Sequence, residues 1–220
     1  MTTRLDRGLF AGLALTGLLL AGAARLEVAE RPRLDKIHEE ELLYYPSGFA
    51  VRQAALGYEI AAADIAWLRG IQYYGEHRLT DQKYYLIGHV MDIVTELDPA
   101  FQEPYVFGAF VMAQELKQPE RGLELLERGI RANPTNWRLA FEAGFLHYVC
   151  RHDYAAAARF FTWASRMPGH DPFVERFAAF AHERAGDTGV AILLWKQVLA
   201  TGNAYMQDVA RRELVHLGAM

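Results

Sequence analysis

The stretch Asp153-Tyr154-Ala155-Ala156-Ala157-Ala158-Arg159-Phe160-Phe161-Thr162-Trp163-Ala164-Ser165-Arg166-Met167-Pro168 constrains the fold of this chain more than any other. Ala157 is followed four positions later by Phe161, three after that by Ala164, and then by Pro168. Spacings of four and three bring side chains back to one face of an α-helix. A small, large, small order on that face suits close packing against a second helix. The proline cannot continue the helix, because it has no N–H to donate. The rhythm returns about every 34 residues down the C-terminal two thirds of the chain.

Read upstream and downstream, the rhythm predicts a series of helix pairs. Ser47 is placed to N-cap a helical stretch from Phe49 to Leu79, with a bend at Gly57-Tyr58. Trp67, Ile71 and Tyr74 fall on one face of it and are expected to pack on the second helix of the same pair. After Thr80-Asp81-Gln82-Lys83, that second helix carries Ile87, Met91, Val94 and Leu97 and ends at Asp98-Pro99. A second pair opens at Pro104-Tyr105, with Ala109 and Met112 on its seam. Its partner helix starts at Pro119, where proline is tolerated, and carries Gly122, Leu126 and Gly129 to Asn133-Pro134. In the third pair Gly144 permits close helix approach. The fourth turns at Ala185-Gly186-Asp187 and carries Ala191, Trp195 and Val198. A final helix offers Met206, Val209, Leu214 and Leu217 to cover the last apolar face.

These residues resemble tetratricopeptide repeats. Residues 64–203 carry four, at about 64–99, 102–134, 137–168 and 172–203, with a capping helix at 204–218. The third and fourth are clear and the first two degenerate. The departures are a long connector in the first, Tyr105 where tryptophan is common, and Asn203 where proline is usual. The resemblance implies an all-α, helical-hairpin solenoid over residues 46–220. In that family the first helix of each repeat lines a concave groove. Carried over by register, the groove would present Gln72, Glu76, Glu103, Phe110, Gln114, Arg138, Phe141, Phe145, Tyr148, Phe173, Arg176 and Phe180. Aromatic and arginine side chains are the usual anchors of protein interfaces. An apolar segment bearing an acidic group, paired by Arg138 or Arg176, is the expected occupant.

The N-terminus carries a different signal. Arg4 and Arg7 precede an uncharged stretch, Gly8–Ala24, with Leu9, Phe10, Leu13, Leu15, Leu18, Leu19 and Leu20. As a helix it would be roughly 25 Å long, slightly short of a ~30 Å hydrocarbon core. Residues 1–24 therefore read as a membrane anchor or, with Ala21-Gly22-Ala23 as a small-x-small cleavage pattern, a signal peptide. In both cases the two arginines stay in the cytoplasm and the rest lies across the membrane, in a bacterium on the periplasmic side. Residues 25–45, rich in charge, read as a polar juxtamembrane stalk.

Composition narrows the function classes. Of 220 residues 52% are hydrophobic and 12% aromatic, enough for a continuous core. A net charge of −4 without a Lys/Arg run argues against nucleic-acid binding. The single cysteine, Cys150, cannot form an intrachain disulfide or a CxxC pair and is expected to be a buried thiol. His147, Cys150 and His152 are the one tight group of metal-ligand types, too few for a typical site. GxSxG, HExxH, GxxxxGK[ST] and GxGxxG are absent from the sequence. The expectation is a non-catalytic scaffold or assembly subunit, needing no cofactor, that binds envelope or membrane proteins. The alternatives are a permanent accessory subunit of an exporter, pilus machine or electron-transfer assembly, and an enzyme with its site in the groove.

Overall fold

The computed structural model describes residues 47–220; the expected anchor and stalk lie outside them. Among the described residues the regular secondary structure is helical throughout. The α-helices are α1 (Gly48–Ala54), α2 (Glu59–Leu79), α3 (Ile87–Leu97), α4 (Glu103–Phe110), α5 (Pro119–Ala132), α6 (Trp137–Leu146), α7 (Tyr154–Ala164), α8 (Phe173–Arg184), α9 (Thr188–Thr201) and α10 (Ala204–His216). Two π-helical turns, Val111–Glu115 and His147–Arg151, extend α4 and α6. Among the described residues, no helix is long and apolar enough to cross a membrane.

Packing runs along the chain. From α2 onward each helix packs on the next, α1 reaches past α2 to α3, and α4 also touches α6. Side-chain chemistry fixes where the helices start. Ser47, Asn136, Asp153 and Asn203 each accept a backbone N–H of the following first turn, which would otherwise lack a partner. Pro119 opens α5.

The repeat is written most plainly where the first helices stop. Left-handed backbone occurs at Gln82, Lys117, His152 and Gly186, spaced 35, 35 and 34 residues apart. After Gly186, Asp187 N–H reaches back to the carbonyl of His182, five residues earlier. That is the bond of a glycine-terminated helix end. After Lys117 and His152, Gln118 and Asp153 reach back six residues, to Met112 and His147. Each π-helical turn has added one residue to the same cap. The second helices repeat the register of a small residue: Gly88, Gly122, Ala157 and Ala191 are all buried.

The expected second-helix residues form the core. Ile87, Met91, Val94, Leu126, Phe161, Trp195 and Val198 are nearly inaccessible. At Gly144 an added Cβ would lie 2.8 Å from Phe161, so only glycine allows that approach. Met206, Val209 and Leu214 close the last core cluster with Trp195, and Leu217 packs against it.

One expectation is corrected. The face of α2 that packs on α3 consists of Ala63, Ala66, Gly70, Tyr73 and His77, not Trp67, Ile71 and Tyr74. A Cβ at Gly70 would come within 2.7 Å of Met91 and 3.0 Å of Val90. Helix α3 is bulky along its buried side, so α2 must be small where they meet. Trp67 instead packs edge-on against Phe101 and Phe107, and Tyr74 against Phe107 and Tyr84. The large rings of α2 thus join one helix pair to the next.

Candidate functional site

The twelve groove residues proposed from sequence fall into three groups. Gln72, Glu76, Glu103, Phe110 and Arg138 are exposed. Of the aromatics, only Phe110 offers a large free surface, at 46%. Arg138 Nη1 lies 3.9 Å from Glu103 Oε1, linking α6 to α4. Both side chains are about half exposed, so this pair costs little to open.

A second group is tied up in ring packing. Phe141 is a core residue, 8% exposed, in contact with Trp137, Phe145, Phe161, Phe173 and Phe177. It has almost no surface to offer a partner, a correction to its assignment as a groove contact. Phe145 and Phe173 are half-buried in the same cluster. Phe180 packs edge-on against Trp195. The Arg176 guanidinium lies over the rings of Phe177 and Tyr205, at 5.6 and 5.8 Å from their centroids. These rings recur at helical spacing because they fill the joints between successive pairs, a need that sequence spacing cannot distinguish from a binding role.

Gln114 and Tyr148 form the third group, on or beside the π-helical turns. Gln114 Nε2 donates to Cys150 Sγ at 3.2 Å, bridging the two turns. Cys150 is half-buried, where sequence predicts full burial, and desolvation raises its pKa. His147 stacks on Phe160 with its ring centroid 5.3 Å away. Burial lowers the pKa of its imidazole, with Asp153 opposing the shift. Among the described residues there is no group of three His, Cys, Asp or Glu side chains arranged to hold a metal ion.

Tyr148 and Phe180 both line an open concavity of about 570 Å³, with Glu183, Arg184, Arg212, Glu213 and His216. A lining of two aromatic rings and charges of both signs suits a polar peptide segment. Glu183 Oε2 is buried there without a hydrogen-bond partner. Arg212 is held by Asp208 at 3.1 Å. Sequence register misses the four charged members and His216, because α8 and α10 meet only at the end of the array. Glu142 also escapes sequence register. Its carboxyl pKa is raised by burial, against the pull of Arg138.

No protein-family model and no curated protein matches this chain.

Proposed function

We propose that this chain is a membrane-tethered, tetratricopeptide-like solenoid that binds a partner protein along the face of its first helices. The observation that carries the reading is the left-handed termination at Gln82, Lys117, His152 and Gly186, in step with the buried small residues Gly88, Gly122, Ala157 and Ala191. A periodic array of helix pairs holds a preformed surface, which lowers the ordering cost of capturing a segment. The contact residues of the reading are Phe110, the Glu103–Arg138 pair, and the concavity lined by Tyr148 and Phe180. The tether is the apolar stretch Gly8–Ala24, and the array lies on the non-cytoplasmic side. No catalytic step is assigned; binding is the mechanism.

The test is affinity purification of the full chain from native membranes in mild detergent, with mass spectrometry of the N-terminal peptide and of co-purifying proteins. The expected result is an intact N-terminus and a stoichiometric partner. Replacing Arg138 and Arg212 by Glu, together with Phe110→Ala, should remove that partner while the helical circular dichroism signal stays unchanged. Retention of the partner by the folded triple variant overturns the reading.

A further inference from the structure

The concavity at the C-terminal end of the array sorts its charges by depth. Glu183 and Glu213 are half-buried, as are the rings of Tyr148 and Phe180, whereas Arg184, Arg212 and His216 are exposed. Among the described residues the two carboxylates have no ion pair, and Glu183 Oε2 is buried with no hydrogen-bond partner. Arg212 is already bonded to Asp208. The inner lining is therefore two aromatic rings and two unpaired negative charges. A charge withdrawn from water is costly until an opposite charge meets it. The rings are held by their neighbours: Tyr148 packs on Tyr154 with centroids 5.1 Å apart, and Phe180 on Trp195 at 4.7 Å. Both are in place before a ligand arrives, which lowers the ordering cost of binding.

We infer, resting on the partner-binding reading of the same surface, that this concavity takes a basic side chain of the partner protein, the guanidinium of an arginine or the ammonium of a lysine. The two carboxylates supply the opposite charge, and an aromatic face adds cation–π attraction, which strengthens where water is excluded. Helix ends act in the same direction. Tyr148 lies in the π-helical turn that extends α6, Glu183 is next to last in α8, and Glu213 is in the last turn of α10. The C-terminal end of a helix carries partial negative charge, so three such ends favour a cation. An acidic occupant is the weaker match. It would sit against two carboxylates, and the exposed arginines would repay it little, because solvent and salt screen them and Arg212 is held by Asp208. Arg184 and His216 are left on the rim for the backbone carbonyls that flank a basic residue in any chain. The volume of about 570 Å³ is that of a site for one long side chain and its immediate neighbours.

The probes are short acetylated and amidated peptides of glycine, serine and alanine that differ only at one central residue: arginine, lysine, norleucine or glutamate. They are titrated to millimolar concentration against the full chain in mild detergent and followed by ligand-observed NMR. The arginine and lysine peptides should bind about tenfold or more tightly than the other two. Glu183→Gln with Glu213→Gln keeps shape and removes charge. It should abolish that preference while the helical circular dichroism signal stays unchanged, whereas Arg184→Gln should leave the preference in place. Tighter binding of the glutamate peptide gives the concavity to an acidic segment. Equal binding of all four, or binding of none, leaves it without a charge-specific ligand. A preference for cations that survives in the folded double variant puts the cation elsewhere on the chain. Each of these three results overturns the inference. Partner capture from native membranes is read separately. A stoichiometric partner alongside any of those three results keeps the partner-binding reading and removes only the basic contact. Absence of a partner alongside charge-selective binding that the double variant loses keeps the site for a basic group and removes the partner-binding reading.

Discussion

Helices α2 and α5 solve the same packing problem with opposite sequences. In α5, Gly122, Leu123, Leu125, Leu126, Gly129 and Ile130 are buried, while Glu120, Arg121, Glu124, Glu127, Arg128 and Arg131 face water. Its outer side is finished, and Arg128 bonds to Asp92 of α3 across the surface. In α2 the buried side begins with the small residues Ala63, Ala66 and Gly70 before Tyr73 and His77, and the opposite side carries Ile65, Leu68 and Leu79. A helix with one apolar face belongs at the surface of the array, whereas one with two has a second surface still to cover. The difference separates residues that hold the fold from residues available to something else.

The largest effect should come from the finished seam. Leu126 is wholly buried, so Leu126→Ala should cost about 3 kcal/mol in urea denaturation. A loss below ~1 kcal/mol would show that α5 is not a core helix. Glycines sharpen the contrast because they should differ in sign. At Gly122 an added Cβ would sit 2.7 Å from the backbone oxygen of Ala109, which cannot swing aside. Gly122→Ala should therefore cost ~2 kcal/mol. At Gly75, on the open side of α2, a Cβ meets nothing within 4 Å. Gly75→Ala should stabilise by ~1 kcal/mol, through helix propensity alone. Two variants of the same sign in one melting series would remove the distinction between the seams.

The C-terminal end of α2 adds a pH-dependent contribution. His77 Nδ1 and Asp81 Oδ1 are 2.5 Å apart, and Asp81 also accepts the backbone N–H of Lys83 at 3.1 Å. The bond to His77 is the main reason the Asp81 carboxyl falls to about 2. A carboxylate with a depressed folded pKa stabilises the fold above its unfolded value, near 4, and loses that contribution as pH falls toward about 2. Thermal melts from pH 6 to pH 2 should therefore show a smaller acid loss for Asp81→Asn than for the parent. Parallel curves would remove Asp81 from the acid response.

Much of the helical order is legible in the sequence, because each helix pair leaves local signatures. Ser47, Asp153 and Asn203 cap helices, Pro119 opens one, and Ala157-Phe161-Ala164 sets the spacing. Partner choice across the array is less legible. Trp67 and Phe141 lie on apolar stripes that sequence assigns correctly as helical, yet which neighbour they meet depends on where the previous pair ends. The two π-helical turns shift register by one residue and leave no composition signal, so groove positions carried over by register alone drift near Gln114 and Tyr148. The concavity near Phe180 escapes sequence reading for another reason. It joins α8 to α10, and no repeat pattern relates a capping helix to the pair before it.

The smallest expected change is the most informative about α2. Leu68 is 60% exposed, so in an isolated copy Leu68→Ala removes little buried area and should cost no more than ~0.5 kcal/mol. Leu126→Ala, by contrast, should cost the same at any protein concentration, since its contacts lie within one chain. If a second copy covered the open side of α2, the cost of Leu68→Ala would grow as protein concentration rises, because mass action links association to folding. Denaturation at two concentrations a hundredfold apart separates the cases. A loss that stays small and constant means Leu68 only faces water, and α2 then differs from α5 in composition alone. A loss that rises with concentration means that the two helices share one rule, with the second apolar face of α2 completed by another molecule.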